Sequence, residues 1–448
     1  MMNTNLQNNE INLGQLEQDV LYPITHTSRN YYLIVFFLVA IVAWGLYAYY
    51  TQLRYGLVAT GMNDMVIYGL YIVNFIFFIG ISYAGALVSA ILRLTNASWR
   101  NPITRMAELI AVGGLTDGAI QPIIDLGRPD RLGNIFAFGR FQSPLLWDII
   151  AIITYLIGSL IYLYLPLIPD FAMARDKLEY GSNTLKRRFF RLFAAGWQNT
   201  PEQKCRLNRA IGIMAILIIP LAVLVHTVVA FIFSMTLRHG WNSTIFGIYF
   251  VVAAVFSGTA VLLIIIAVFR KVYHFQEYIT EKHFRYLGYI LLVMLLTYLY
   301  LSFTEYLTVG YKMEEGERQL LDVILSGTIA PMFWTFVVGG LIVPASLLIF
   351  SKKKPIPMTV TAAVLVVIGM WLKRYIIVIP VLEIPMMPFE FGTYAPSWVE
   401  ISIGLATLAG FVLMITLSSK ILPLISVWEM KEQLEEGKTV PPVEEGVR

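Results

Sequence analysis

Ten stretches, each of about twenty mostly apolar residues, divide this chain, and no other feature constrains its fold as tightly. Wound as a helix, a run of that length matches the hydrocarbon core of a bilayer, about 30 Å thick. Each span must satisfy its own backbone polar groups, and the runs lack the alternation of an outer-membrane barrel. The expected fold is therefore an all-α integral membrane protein. Apolar runs bounded by polar, Pro or Gly breaks place spans at 31–50, 67–92, 102–122, 145–168, 209–235, 246–270, 284–308, 329–350, 358–380 and 398–420. Composition agrees: 57% of the 448 residues are hydrophobic and 14% charged, too little polarity to coat a water-soluble globule of this size. The domain plan is a cytoplasmic N-terminal segment 1–30, a transmembrane domain 31–420 and a cytoplasmic tail 421–448. The first thirty residues contain Arg29 as their single basic residue and have no secretory cleavage pattern, so they are not read as a removable leader.

Ten spans put both chain ends on one side. The connections after spans two, four, six and eight, counted with the span-end residues Arg105, Arg209, Arg270 and Arg285, carry 19 Lys and Arg residues, and the other five loops carry 7. By the positive-inside rule the basic loops and both ends face the cytoplasm, while the loops with Arg54, Arg128, Arg238, Lys312 and Glu390 lie outside. Lys186–Arg188 and Lys352–Lys354 read as topology signals and lipid-headgroup contacts. The net charge of +4 thus reports orientation and suggests no nucleic-acid partner.

Several chemistries are excluded by count. Cys205 is the sole cysteine, which rules out an intrachain disulfide and a Cys-ligated iron–sulfur cluster in this chain. His226 is the sole histidine inside a span, so a membrane b-type haem lacks its pair of axial ligands. No clustered metal ligands and no GxxxxGK[ST], GxSxG or HExxH motif occur. Pro122, Pro144, Pro166, Pro169 and Pro380 fall near span ends rather than at the midplane, which argues against a transporter with broken helices.

Ionisable groups inside a membrane are costly, which makes each one a functional candidate. Asp117 lies near the outer end of span three, Asp148 opens span four, His226 sits in the outer half of span five, and Glu305 closes span seven. Lys373 and Arg374 occupy the outer half of span nine and Glu400 opens span ten. In the inner half, Arg105 and Glu108 are three residues apart, a spacing that suits a local salt bridge or a proton entry. Lys373 and Arg374 are expected to snorkel or to pair with a carboxylate such as Glu305 or Glu400.

The outer loop between spans three and four combines Asp125, a Gly-Arg-Pro turn at Arg128, the pair Asp130 and Arg131, the rings Phe136, Phe138 and Phe141, and then Trp147–Asp148. A quinol site needs an apolar slot open to lipid, a polar group at each ring oxygen and a base for the protons released as electrons leave. Asp117, Asp125, Asp148 and His226 are the candidate acids and bases. Imidazole titrates near neutrality, which makes His226 a natural proton acceptor. A salt-bridged surface loop is the plainer reading of Asp125, Arg128, Asp130 and Arg131.

The run IIDLGRPDRLGNIFAF followed by FQSPLLWDIIAI resembles the signature of the NrfD/PsrC membrane subunits. TYLIGSLIYLYLPLIPDFAMARD, HTVVAFIFSMTLRHGWNSTIFGIYFVVAAVFSG and MWLKRYIIV resemble, more narrowly, the ActC subunit of alternative complex III. The similarity spans roughly 65–420. It implies two four-helix bundles with peripheral helices in the bacterial cytoplasmic membrane, with menaquinol as the bound substrate and no haem or iron–sulfur cluster in this chain. It further implies a periplasmic iron–sulfur partner, multihaem c-type cytochrome subunits and a second NrfD-like subunit. The quinol-binding residues would be Arg128, Phe138, Phe141, Trp147, Asp148 and His226. A proton path would use Glu108, Arg105, Asp117, Glu305, Arg374 and Glu400. Asp125 stands where the ActC pattern has His, and Ile232 where it has a carboxylate. These departures leave open the quinone-reactive anchor of a polysulfide reductase-like molybdoenzyme, or a copy of the fold that does not oxidise quinol.

Overall fold

In the computed structural model, residues 13–177, 184–387 and 389–435 are described, and no strand occurs among them. The helices are α1 (Leu13–Thr25), α2 (Arg29–Tyr55), α3 (Leu70–Leu94), α4 (Asn101–Asp125), α5 (Asn134–Ala137), α6 (Pro144–Lys177), α7 (Thr184–Phe193), α8 (Pro201–Ser234), α9 (Phe246–Val272) and α10 (Glu281–Lys312). They continue with α11 (Glu315–Leu325), α12 (Ala330–Trp334), α13 (Val343–Ile349), α14 (Pro355–Glu383), α15 (Trp398–Ser418) and α16 (Val427–Glu435). A π-helical stretch, Thr335–Ile342, joins α12 to α13 within one span.

Among the described residues, nine helices are long and apolar enough to cross a membrane. The tenth expected span, α4, meets that condition only together with the segment Pro129–Ala137, bent from it by 104°. Its own sequence holds Arg105, Glu108, Asp117 and Asp125, and protein rather than lipid surrounds most of it. Close packing is possible because small residues line the contact. A Cβ on Gly85 of α3 would stand 2.3 Å from the Ala107 carbonyl of α4, and one on Gly114 of α4 would stand 2.9 Å from the Phe78 carbonyl.

One group of packed helices comprises α3, α4, α6 and α8; a second comprises α9, α10, α14 and the α12–α13 span. α2 and α15 pair at the periphery, against α4 and α3. The most apolar window of α3 is 89% buried and that of α2 is 11% buried, which sets the centre and the rim.

The first and last described helices lie on one face, here termed the terminal face. Glu17 of α1 pairs with Lys177 and with Lys431 of α16, and Lys420 donates to the Pro23 and His26 carbonyls, each at 2.7 Å. The opposite face, termed distal, carries the Arg128 loop. Two spans outrun their expected limits: α6 extends to Lys177 and α8 begins at Pro201, each 34 residues long. Pro166 and Pro169 accordingly lie inside α6, not at its end.

Candidate functional site

Asp117, Gln121 and Asp125 recur every fourth residue and so share one stripe of α4 at its distal end. Asp117 and Gln121 are buried, and Asp117 Oδ2, both amide atoms of Gln121 and Asp125 Oδ1 have no hydrogen-bond partner among the described residues. Asp117 turns toward α15, where a Cβ on Gly410 would lie 3.6 Å from its Oδ1. Asp125 lies within electrostatic range of Glu400, Tyr68 and Tyr71. Glu400 itself is fully engaged, accepting from Tyr394 Oη at 2.6 Å and from the Gly61 and Ser397 amides at 2.6 and 3.1 Å. Gln52 ties this region together, donating to the Ile124 carbonyl at 2.8 Å and accepting from Tyr71 Oη at 2.6 Å.

Asp148 and His226 occupy a different sector. Asp148, in the first turns of α6, is buried with Oδ1 unpartnered among the described residues. His226 of α8 is buried against Tyr83 of α3, ring centroids 4.6 Å apart; its Nδ1 lies 3.4 Å from the Ala222 carbonyl and its Nε2 has no such partner. A Cβ on Gly158 of α6 would meet Ile218 and Leu221 of α8, and this contact registers the two antiparallel helices. At 1.5 Å per residue, Asp148 lies about 15 Å and His226 about 10 Å on the distal side of that crossing. The two are thus within about one helical turn in depth, on helices packed side by side.

The Arg128 loop does not close over these groups with its charges. Arg128 and Asp130 form an exposed bidentate pair at 3.0 and 2.9 Å. The Arg128 hydrogen bonds hold the Asp130 carboxyl below its ordinary range. Arg131 makes no ion pair among the described residues, so the salt-bridged reading holds for one pair of the four charges. Phe138 and Phe141 are about four-fifths exposed, and the Trp147 indole donates to the Phe141 carbonyl, fixing the loop to the start of α6.

In the second group of helices, Lys373 donates to Tyr306 Oη at 2.6 Å and lies over the rings of Tyr306, Phe336 and Tyr249 at 4.7, 5.7 and 5.8 Å. Arg374 lies over the Phe250 ring at 5.8 Å. The pairing alternative is not met, since neither cation forms an ion pair with a carboxylate among the described residues, and both side chains are buried. Glu400 is committed to the Gly61 and Tyr394 contacts, and Glu305 accepts from Ser243 Oγ at 2.8 Å.

The expected Arg105–Glu108 pair is also corrected. Arg105 pairs with Asp170 of α6 at 2.9 Å and donates to the Pro166 and Pro423 carbonyls. Glu108 turns instead to α3, accepting from Ser89 Oγ at 2.8 Å with Arg93 at 3.6 Å. Glu429 of α16 closes the network on Arg93 at 2.7 Å and Arg100 at 2.9 Å. Sequence reading missed Arg93, Asp170, Glu429 and Tyr83. Asp170 and Glu429 fall beyond the apolar limits of their spans, so hydropathy assigns them to loop and tail. A further row on α6, Tyr155, Ser159 and Tyr162, is buried at helical spacing, with Ser89 Oγ 3.1 Å from Tyr162 Oη and Tyr155 donating to the Ser82 carbonyl at 3.2 Å. Among the described residues no three His, Cys, Asp or Glu side chains gather as a metal site.

The polysulphide reductase NrfD family model matches residues 58–385. The chain belongs to the NrfD family. It is 25% identical over 432 residues to the C subunit of selenate reductase from Mesobacillus selenatarsenatis, an alignment covering 93% of this chain and 99% of that one. It is 26% identical over 399 residues to the integral membrane subunit of menaquinone reductase from Nitratidesulfovibrio vulgaris, covering 87% and 90%. A shorter match, 26% over 136 residues, joins it to the integral membrane subunit of an Hdr-like menaquinol oxidoreductase from Archaeoglobus fulgidus, covering 30% of this chain and 34% of that one. These relatives of the NrfD-type chain are membrane subunits of redox complexes.

Proposed function

We propose that this NrfD-type chain binds and oxidises menaquinol near its distal face and delivers the electrons to an iron–sulfur protein docked there. The observation that carries the reading is the pair of unpartnered buried atoms, Asp148 Oδ1 and His226 Nε2, at similar depth on adjacent helices. A quinol presents two hydroxyls, and each must find an acceptor if its proton is to leave with the electrons. Asp148 accepts one proton and His226 Nε2 the other, and Tyr83 holds the imidazole face. Trp147, Phe138 and Phe141 form the aromatic rim through which a lipid-soluble ring enters, and Arg128 stays at the surface. The menaquinone and menaquinol in the names of two relatives support that class of substrate.

On this reading the chain is a subunit of the alternative complex III type, in a bacterial cytoplasmic membrane with both ends cytoplasmic. Its partners are multihaem c-type cytochromes and a second NrfD-like subunit. Coupled proton movement is assigned to Tyr155, Ser159 and Tyr162 of α6, leading to Ser89 and Glu108, because the polar stripe of α4 is broken by the apolar turns Leu109–Leu115. A second reading, the quinone-reactive membrane anchor of a polysulfide reductase-like molybdoenzyme, is favoured by the end-to-end match to the C subunit of a selenate reductase.

The test is turnover of the purified complex. Asp148→Asn keeps the shape and removes the acceptor, so quinol oxidation should fall sharply while quinol binding remains; unchanged turnover overturns the site. Haem and molybdenum analysis of the same preparation separates the two complexes.

A further inference from the structure

The segment Thr184–Phe193, TLKRRFFRLF, segregates its side chains around α7. Phe189, Phe190 and Phe193 lie on one side and pack against Phe171 of α6, at 5.9 Å between ring centroids in each case. Arg187, Arg188 and Arg191 lie on the other, exposed, with no carboxylate ion pair among the described residues. Leu185 and Leu192, seven residues apart and so on one stripe between these faces, are 78% and 74% exposed. Three sides of one short helix thus meet protein, water and hydrocarbon. That is the signature of a helix lying in the plane of the membrane interface. Two bonds fix it there: Lys186 donates to the Ile24 carbonyl of α1, and Tyr164 of α6 donates to the Phe193 carbonyl.

Against this helix opens a cavity of about 380 Å³, lined by Leu160, Ile161, Leu163, Tyr164, Leu167 and Phe171 of α6 with Phe189, Phe193 and Leu422. From Leu160 to Phe171 the groove follows α6 for about 16 Å. Its lining is apolar or aromatic along that length, and Leu160 and Ile161 open it sideways toward lipid. The groove therefore suits a hydrocarbon chain, and α7, which walls it with Phe189 and Phe193, carries three guanidinium groups on its exposed side.

We propose that the α6–α7 groove is a binding site for an anionic phospholipid of the leaflet at the terminal face, one acyl chain in the groove and the phosphate on Arg187, Arg188 and Arg191. The charge complementarity selects the occupant. A neutral quinone gives three arginines nothing to bind, and a zwitterionic lipid offsets its phosphate with its own cation. Guanidinium groups grip phosphate oxygens through paired N–H donors, which an ammonium cannot do. The site stands apart from Asp148 and His226, at the opposite face, and does not rest on the quinol reading.

The experiment is native mass spectrometry and thermal unfolding of the full-length protein, with any copurifying subunits, after delipidation and return to phosphatidylcholine with or without phosphatidylglycerol. The expected result is retention of phosphatidylglycerol over phosphatidylcholine by at least several-fold, with a rise in unfolding temperature for the former alone. The variant R187Q/R188Q/R191Q should lose the preference, and Ile161→Trp, which fills the groove, should lose retention of both lipids. Equal retention of the two lipids by the unaltered protein overturns the proposal without any variant, so a variant that fails to fold does not shield it. Equal protection by glycerol phosphate, which has no acyl chain, also overturns it, because the arginines would then be a free-anion site. Loss of protection in the triple variant alone, with Ile161→Trp unaffected, removes the acyl slot and overturns it equally.

Discussion

The same helices α4 and α6 carry acids at both ends, and the two ends treat them in opposite ways. At the terminal face Glu108, Asp170 and Glu429 each face an arginine, so that α3, α4, α6 and the C-terminal α16 are tied by charge. At the distal face Asp117, Asp125 and Asp148 are held without one, each with an oxygen that no described residue hydrogen-bonds. Removing one partner from a buried pair leaves an uncompensated charge, whereas a buried acid that lacks a partner contributes little to stability. The contrast separates acids that hold the bundle from acids available for chemistry.

The sharpest way to break this contrast is at Asp148. Asp148→Asn is expected to lower quinol oxidation by about 10²–10⁴-fold, the usual worth of a positioned proton acceptor. Stopped-flow quinol turnover checks it, and an effect under threefold would make the distal acids structural like the inner ones. Glu429→Ala should do the reverse, destabilising the fold by about 3–5 kcal/mol because Arg100 loses its carboxylate and Arg93 keeps only Glu108, at 3.6 Å, while turnover per folded molecule stays near normal. Thermal unfolding alongside activity reads both.

Smaller effects refine the picture. Asp148→Leu removes a buried polar group that no described residue satisfies, so the unfolding temperature should hold or rise, by at most about 1–2 kcal/mol of stability. The smallest expected effect is that of pH on α16. Burial pushes the Glu429 carboxyl up, but Arg93 and Arg100 outweigh it and bring it down to about 2. A depressed carboxylate stabilises the fold above its unfolded value, near 4.3, and that contribution fades as pH falls toward 2. Hydrogen-exchange protection factors of Val427–Glu435, corrected for the intrinsic rise of exchange with pH, should therefore be flat between pH 5 and 8, and protection lost across that window would show the arginines do not hold the charge.

How much of this was legible in the residues depended on range. Spans were readable because twenty apolar residues leave one solution in a bilayer. The ends of α6 and α8 were not, since Arg175, Lys177, Lys204 and Arg206 sit on helix turns that continue past the apolar run. Arg105 and Glu108 looked like partners because only neighbours on a helix are visible in one sequence. Their true partners, Asp170 and Arg93, lie on α6 and α3, and Arg93 is brought up by the α3–α4 packing at Gly85 and Gly114. At the distal face Asp148 and His226 were nameable as costly intramembrane groups, but their similar depth emerged only from the Gly158 crossing.

The ion pairs of Glu429 have a consequence for biosynthesis. Arg93 and Arg100 emerge from the ribosome more than three hundred residues before Glu429, and Asn101 also waits for that residue's carbonyl. Until α16 is made, Arg93 has only Glu108 and Arg100 has no carboxylate partner among the described residues. A chain broken off between α15 and α16 would keep every described span and still present that imbalance.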